Sequence, residues 1–135
     1  MWISRKVGGR WDTPVNLGGV VNSAQDEYPR WISDDGKTLV FASRRSGGYG
    51  GADLWYATKV GGEWQTPVNF GPVINTSADE WGASFKCHHG SVGGIMFFGS
   101  GRPGGRGGWD LWQSTDSEYH AVEPASFGRV KAVFE

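Results

Sequence analysis

Two stretches decide the reading of this chain. Residues 2–28 read WISRKVGGRWDTPVNLGGVVNSAQDEY, and residues 55–81 read WYATKVGGEWQTPVNFGPVINTSADEW. They align without a gap at an offset of 53 residues. Trp2 matches Trp55, Lys6-Val7-Gly8-Gly9 matches Lys59-Val60-Gly61-Gly62, and Trp11 matches Trp64. Thr13-Pro14-Val15-Asn16 matches Thr66-Pro67-Val68-Asn69, and Asp26-Glu27 matches Asp79-Glu80. The offset then becomes 57: FASRRSGGYGGADLW (residues 41–55) matches FGSGRPGGRGGWDLW (residues 98–112). The added residues lie between Lys86 and Phe98. A period near 50 residues is the mark of a repeated supersecondary unit.

Within one unit the segments read as strands. Tyr28–Ser33 is one, and Asp34-Asp35-Gly36-Lys37 is a turn in which Gly supplies the positive φ. Thr38–Ser43, TLVFAS, is a β-branched and apolar strand. A Gly-rich segment then forms a wide turn. Asp53–Lys59 is the third strand, and KVGGEW makes a Gly-Gly hairpin into a fourth, Trp64–Asn69. Four strands per unit, without helical periodicity, predict an all-β fold of propeller-type blades, each of four antiparallel strands.

Composition agrees. At 135 residues the chain is one domain or less. Its 23 Gly and 8 Trp favour short strands and tight turns over long helices. With 13 basic and 14 acidic residues it lacks the basic excess of a nucleic-acid binder. A single Cys excludes an internal disulfide. The sequence has no apolar run long enough for a membrane helix, so no membrane partner is expected.

One motif tempts another reading. Gly99, Gly101 and Gly104 spell G-x-G-x-x-G after an apolar strand. A dinucleotide site needs that motif to open a helix. Here more glycines and the strand Asp110-Leu111-Trp112 follow, and the first copy has Ala42 and Arg44 where Gly99 and Gly101 stand. The match belongs to a turn, and no cofactor is expected.

The repeated residues resemble the TolB-like, WD40-like β-propeller repeat often called PD40. The resemblance rests on Trp11, Pro14, Leu17-Gly18, Val21-Asn22-Ser23, Asp26-Glu27, Ser33-Asp34-Asp35-Gly36-Lys37, Leu39, Phe41-Ala42-Ser43, Arg45, Gly47-Gly48, Gly50 and Asp53-Leu54-Trp55, over about residues 2–113. It implies a binding or scaffold module, of a family that is often periplasmic or exported. A start at Met1 with no apolar leader would instead keep the chain in the cytoplasm. The second copy departs from the pattern at residues 86–94, and the pattern fades after Ser114.

The expected division is a propeller-repeat region, residues 1–115, and a C-terminal tail, residues 116–135. The region holds a partial blade (1–16), a full blade (26–69) and a partial blade (79–114), about two and a half in all. Closed propellers need about four or more, and open stacks expose sheet edges. A homo-oligomer is therefore expected: several chains sharing one ring, or a face-to-face dimer with strand exchange. Val130, Ala132 and Phe134 alternate as a last strand that closes its own blade or a neighbour's. A fragment of a longer propeller is the simpler alternative.

The repeat also sorts the candidate site residues. Those in both copies serve the unit; those that differ are candidates for function. Asp26-Glu27 and Asp79-Glu80 recur with Arg45 and Arg102, so a structural, bidentate carboxylate–guanidinium link is expected. Glu27 and Glu80 would otherwise line a channel and hold a cation or sugar hydroxyls. Asp53 and Asp110 are expected to accept N–H groups of the Gly-rich turn. Cys87, His88 and His89 are zinc-ligating types, but adjacent residues of an extended chain face alternate sides, which favours a solvated turn. Trp2, Trp11, Trp55 and Trp64 recur and are expected to pack between sheets. Trp31, Tyr49, Arg106 and Trp109 do not recur, and aromatic faces on a rim suit a glycan, peptide or protein ligand. A non-catalytic binding module is the primary expectation. A small hydrolase or lyase using channel carboxylates and His, and a purely structural or interaction protein, are the alternatives.

Overall fold

In a computed structural model of the chain, residues 1–87, 94–115 and 130–132 are described. These residues are all-β, with several antiparallel sheets, no helix, and no sheet closed on itself. No helix among them is long and apolar enough to cross a membrane.

The N-terminal segment holds four two-residue strands: β1 (Trp2–Ile3), β2 (Lys6–Val7), β3 (Arg10–Trp11) and β4 (Val15–Asn16). β1 pairs with β4 and β2 with β3. A central sheet follows, built from β5 (Glu27–Ile32), β6 (Thr38–Ser43) and β7 (Asp53–Val60), with β8 (Glu63–Trp64) and β9 (Val68–Asn69) both on β7. The last sheet runs β10 (Glu80–Cys87), β11 (Gly94–Ser100), β12 (Asp110–Thr115) and β13 (Val130–Ala132).

Local chemistry explains these elements. All six residues of β6 are buried, as a continuous β-branched and apolar run between two strands predicts. The β7–β8 hairpin turns on Gly61 and Gly62 at φ 60° and 92°, and β2–β3 turns on Gly8 and Gly9 at 55° and 82°. Two successive positive φ values are what a two-residue hairpin of matching twist requires. The turn before β6 is held by Ser33, whose Oγ accepts the N–H groups of Lys37 (3.2 Å) and Thr38 (2.9 Å) and donates to Asp35 (2.6 Å). That donation and the Lys37 N–H hold the Asp35 carboxyl below its usual range. The expected fourth strand, Trp64–Asn69, is broken at residues 65–67, where Pro67 has no N–H to give. A register shift in β5 between Pro29 and Trp31 is a further irregularity.

The sheets stack face to face. Val40, Ala42 and Leu54 on one side of the central sheet meet Ala83, Met96, Phe98 and Trp112 of the last sheet in one buried cluster. Ring contacts extend it, Trp31 with Phe85 at 4.7 Å and Tyr28 with Trp81 at 4.9 Å. The opposite side presents Leu39, Phe41, Trp55 and Ala57 to Val21, with Met1, Leu17 and Trp64 packed around them. So the two apolar clusters sit on the two faces of one sheet.

One expectation changes here and one open alternative is decided. Trp2 and Trp11 do not pack between sheets: they are 67% and 70% exposed. Trp55, the counterpart of Trp2, is flanked by β6 and β9 and covered by Val21, Met1 and Leu17, whereas β1 pairs only with β4 among the described residues. The tail strand closes its own unit. Ala132 stands opposite Trp112 as Asn69 stands opposite Trp55. Phe134 lies outside the described residues.

Candidate functional site

The repeated charges form one linkage, seen twice. Arg45 Nη2 lies 3.0 Å from Glu27 Oε1 and donates to the Val21 carbonyl at 2.6 Å. Its Nε donates to Ser43 Oγ at 3.3 Å, and its guanidinium lies over Phe41 and Trp55. Arg102 repeats this with Glu80 at 3.5 Å, Ser100 at 3.0 Å and the Ile74 carbonyl, over Phe98 and Trp112. Each arginine thereby ties the segment entering a unit to that unit's own sheet. The link differs from the expected one in two respects: a single guanidinium nitrogen meets a single carboxylate oxygen, and the Asp of each Asp-Glu pair takes no part.

The second copy is the more enclosed. Glu80 is fully buried and accepts Thr76 N–H (2.9 Å), Thr76 Oγ1 (2.7 Å) and Ser100 Oγ (2.7 Å). Burial depresses the Arg102 pKa, with Glu80 opposing the shift. Glu27 accepts from Ser23 and, at 3.3 Å, from Ser43. Burial raises its pKa, but the Ser23 hydrogen bonds and Arg45 outweigh that and leave it below its ordinary value. Glu80 thus accepts through both carboxylate oxygens, and Glu27 through Oε1.

The aspartates divide. Asp79 Oδ1 lies 3.0 Å from Arg44 and accepts Ala52 N–H at 2.6 Å, while exposed Asp26 accepts the Tyr28 hydroxyl at 3.4 Å. Asp53, as expected, accepts from the Gly-rich turn through Tyr49 N–H at 2.6 Å, and also from Asn69 Nδ2 at 2.8 Å. Asp110 does so through Gly107 N–H at 3.3 Å.

A repeated pair that composition hides is Asn22 and Asn75. Asn75 accepts Leu54 N–H at 2.8 Å and donates to Leu54 C=O at 2.9 Å, so one side chain satisfies both backbone groups of a buried residue. Asn22 holds Met1, Leu54's counterpart, through the same two atoms. Both asparagines lie in the ungapped repeat, which is the signal that could have found them.

The non-repeating aromatics do not converge. Trp31 is half-buried, packed against the core with its ring tilted on Phe85. Tyr49, Arg106 and Trp109 are exposed on the two Gly-rich turns, Tyr49 at 50% and Trp109 at 54%. Those turns both join the second and third strands of a unit, and both reach the link between units: Gly51 N–H donates to Ala78 C=O and Gly101 N–H to Asp79 C=O, each at 3.3 Å. Cys87 ends β10, while His88 and His89 lie outside the described residues. Among the described residues no group of three His, Cys, Asp or Glu could hold a metal.

Sorting by repetition also works for charges, and it picks out Arg30, which stands where the second copy has Ala83. Arg30 lies over Trp81 (5.1 Å) and Tyr28 (5.8 Å), and its buried Nε has no hydrogen-bond partner. Burial lowers its pKa. It borders an apolar groove of about 460 Å³ between the N-terminal segment and the central sheet.

No family model, curated protein or solved structure matches the chain.

Proposed function

We propose that the chain is a non-catalytic binding or scaffold module of the PD40-like β-propeller kind, formed of stacked blades and completed by a second copy of itself. The observation that carries this reading is the twice-built Glu–Arg–Ser linkage. It commits the acidic residues best placed for acid–base chemistry to holding units together. The exposed residues that the unit does not need are the turn residues Tyr49, Arg106 and Trp109, which suit a glycan, peptide or protein ligand.

The outer face of the last sheet is the contact between copies. Leu111, the counterpart of Leu54, is 40% exposed where Leu54 is fully buried. Two such faces meeting about a two-fold axis bury the same patch on each chain. The test is a glycan and peptide array with wild-type chain, Tyr49→Ala and Trp109→Ala. A ligand that binds the wild type and is lost in the turn variants supports the reading. A ligand unaffected by both places the site elsewhere, and a hydrolytic activity abolished by Glu27→Gln with the fold intact overturns the non-catalytic reading.

A further inference from the structure

The first strands of the two units break their pairing at one place. β5 shifts register between Pro29 and Trp31, and β10 between Trp81 and Ser84. Both are edge strands of their sheets. A bulge re-aims the residue it releases from the ladder. In β10 that residue is Ala83, which is 5% exposed and sits in the core cluster. In β5 the aligned residue is Arg30. A device of the repeat thus carries a charged side chain that the repeat does not need. A bulge and a proline in an edge strand both oppose the addition of another strand, so this place offers side chains rather than backbone.

The Arg30 guanidinium carbon lies 5.1 Å from the Trp81 ring centre and 5.8 Å from that of Tyr28, and the two rings meet edge to face at 4.9 Å. Tyr28 belongs to the central sheet and Trp81 to the last, so the cluster spans the junction of the two. A guanidinium held over rings keeps the N–H groups of its own plane for a separate acceptor. Arg44, Arg45 and Arg102 each lie within 3.5 Å of a carboxylate, and Arg30 has no such partner among the described residues. The carboxylates nearest in sequence turn to other groups: Glu27 meets Arg45, and Asp26 accepts the Tyr28 hydroxyl at 3.4 Å. Tyr28 is 38% exposed, which leaves apolar ring surface open beside the cation.

We infer that Arg30, Tyr28 and Trp81 form an anion site for a carboxylate carried on a six-membered ring, as in an acidic sugar or an aromatic acid. The end of the guanidinium gives the planar carboxylate two parallel N–H bonds, and the ring of the ligand covers the open part of Tyr28. One cation calls for one negative charge. The Asp26 carboxylate beside Tyr28 disfavours a second, so the site prefers a monoanion to phosphate. It is separate from Tyr49, Arg106 and Trp109, and it holds whether or not those turns take a ligand.

The test is an NMR titration of the whole isotope-labelled chain with benzoate and with glucuronate, followed at the Arg30 Nε–H and Trp81 indole N–H signals. Benzyl alcohol and glucose are the uncharged controls, and inorganic phosphate is the control for a second charge. The expected result is a saturable shift of both signals with at least one acid. Its uncharged control and phosphate bind about tenfold more weakly or worse. Whichever acid binds names the source of the carboxylate. Arg30→Ala, which installs the residue of the second copy, weakens binding at the Trp81 signal by about tenfold or more. Arg30→Lys keeps a charge without the fork and recovers only part of the affinity. Tyr49→Ala and Trp109→Ala leave the titration unchanged. The inference is overturned by no saturable shift with either acid at millimolar concentration, by binding that persists unchanged in Arg30→Ala and Arg30→Lys, or by phosphate bound as tightly as the acids.

Discussion

The two faces of the stack carry nearly the same residues and meet different fates. Leu54 on the central sheet and Leu111 on the last sheet occupy one position of the repeat, yet one is fully buried and the other 40% exposed. Trp55 and Trp2 differ as much on the opposite face, at 6% and 67%. The faces toward the N-terminus behave alike: Leu39, Phe41 and Trp55, and their counterparts Met96, Phe98 and Trp112, are all buried. The central and last sheets each receive the segment before them, and among the described residues only the central sheet has another sheet packed on its other face. The residue sets only what could be buried; the neighbour sets what is.

The largest effects should separate the copies most sharply. Glu80→Ala leaves Arg102 in the core without its partner and should cost about 3–5 kcal/mol in urea unfolding. Leu54→Ala should cost about 2–5 kcal/mol, whereas Leu111→Ala should change the stability of dilute monomer by less than about 0.5 kcal/mol. Equal costs for the two leucines would break the comparison.

The turns give a subtler test. A Cβ on Gly50 would lie 2.3 Å from the Thr76 carbonyl oxygen and 2.5 Å from the Ser77 carbonyl carbon, so backbone must move. A Cβ on its counterpart Gly107 meets nothing closer than 3.8 Å. Gly50→Ala should cost about 1–3 kcal/mol and Gly107→Ala almost nothing, read from thermal melts. Gly50 is wedged against the link into the next unit, whereas Gly107 has no such backbone beside it among the described residues.

The smallest effect concerns pH. Glu27 titrates below its ordinary value of 4.5. A depressed carboxyl stabilises the fold above that value, and the stabilisation fades as pH falls through the lowered folded value. Melting temperatures measured from about pH 5 down to pH 3 should fall less steeply for Glu27→Gln than for the wild type. Parallel curves would show that the linkage holds no differential charge.

Much of this architecture was legible because the chain states it twice. The hairpin at Gly61-Gly62, the turn at Gly36, the buried run Thr38–Ser43 and the aspartates under the Gly-rich turns all follow from local chemistry. Repetition also exposed G-x-G-x-x-G as turn composition. The exposure of Trp2 and Trp11 was not legible, because a pattern records a face and not whether something covers it. The broken strand at residues 65–67 and the β5 irregularity depend on pairing geometry that apolar alternation does not encode. At the candidate site, repetition separated structural Glu27 and Glu80 from turn residues Tyr49, Arg106 and Trp109. It did not reveal that Trp31 packs against the core, since a packing aromatic can differ between copies as freely as a binding one. Arg30 could have been found by extending the same sorting from aromatic to charged residues.

We propose that the outer face of the last sheet is covered by a second copy. Light scattering of the purified chain at micromolar concentration tests it most directly, with Leu111→Glu alongside. The account predicts twice the chain mass for the wild type and a folded monomer for Leu111→Glu. A wild-type monomer at that concentration, or a dimer indifferent to Leu111→Glu, would contradict it.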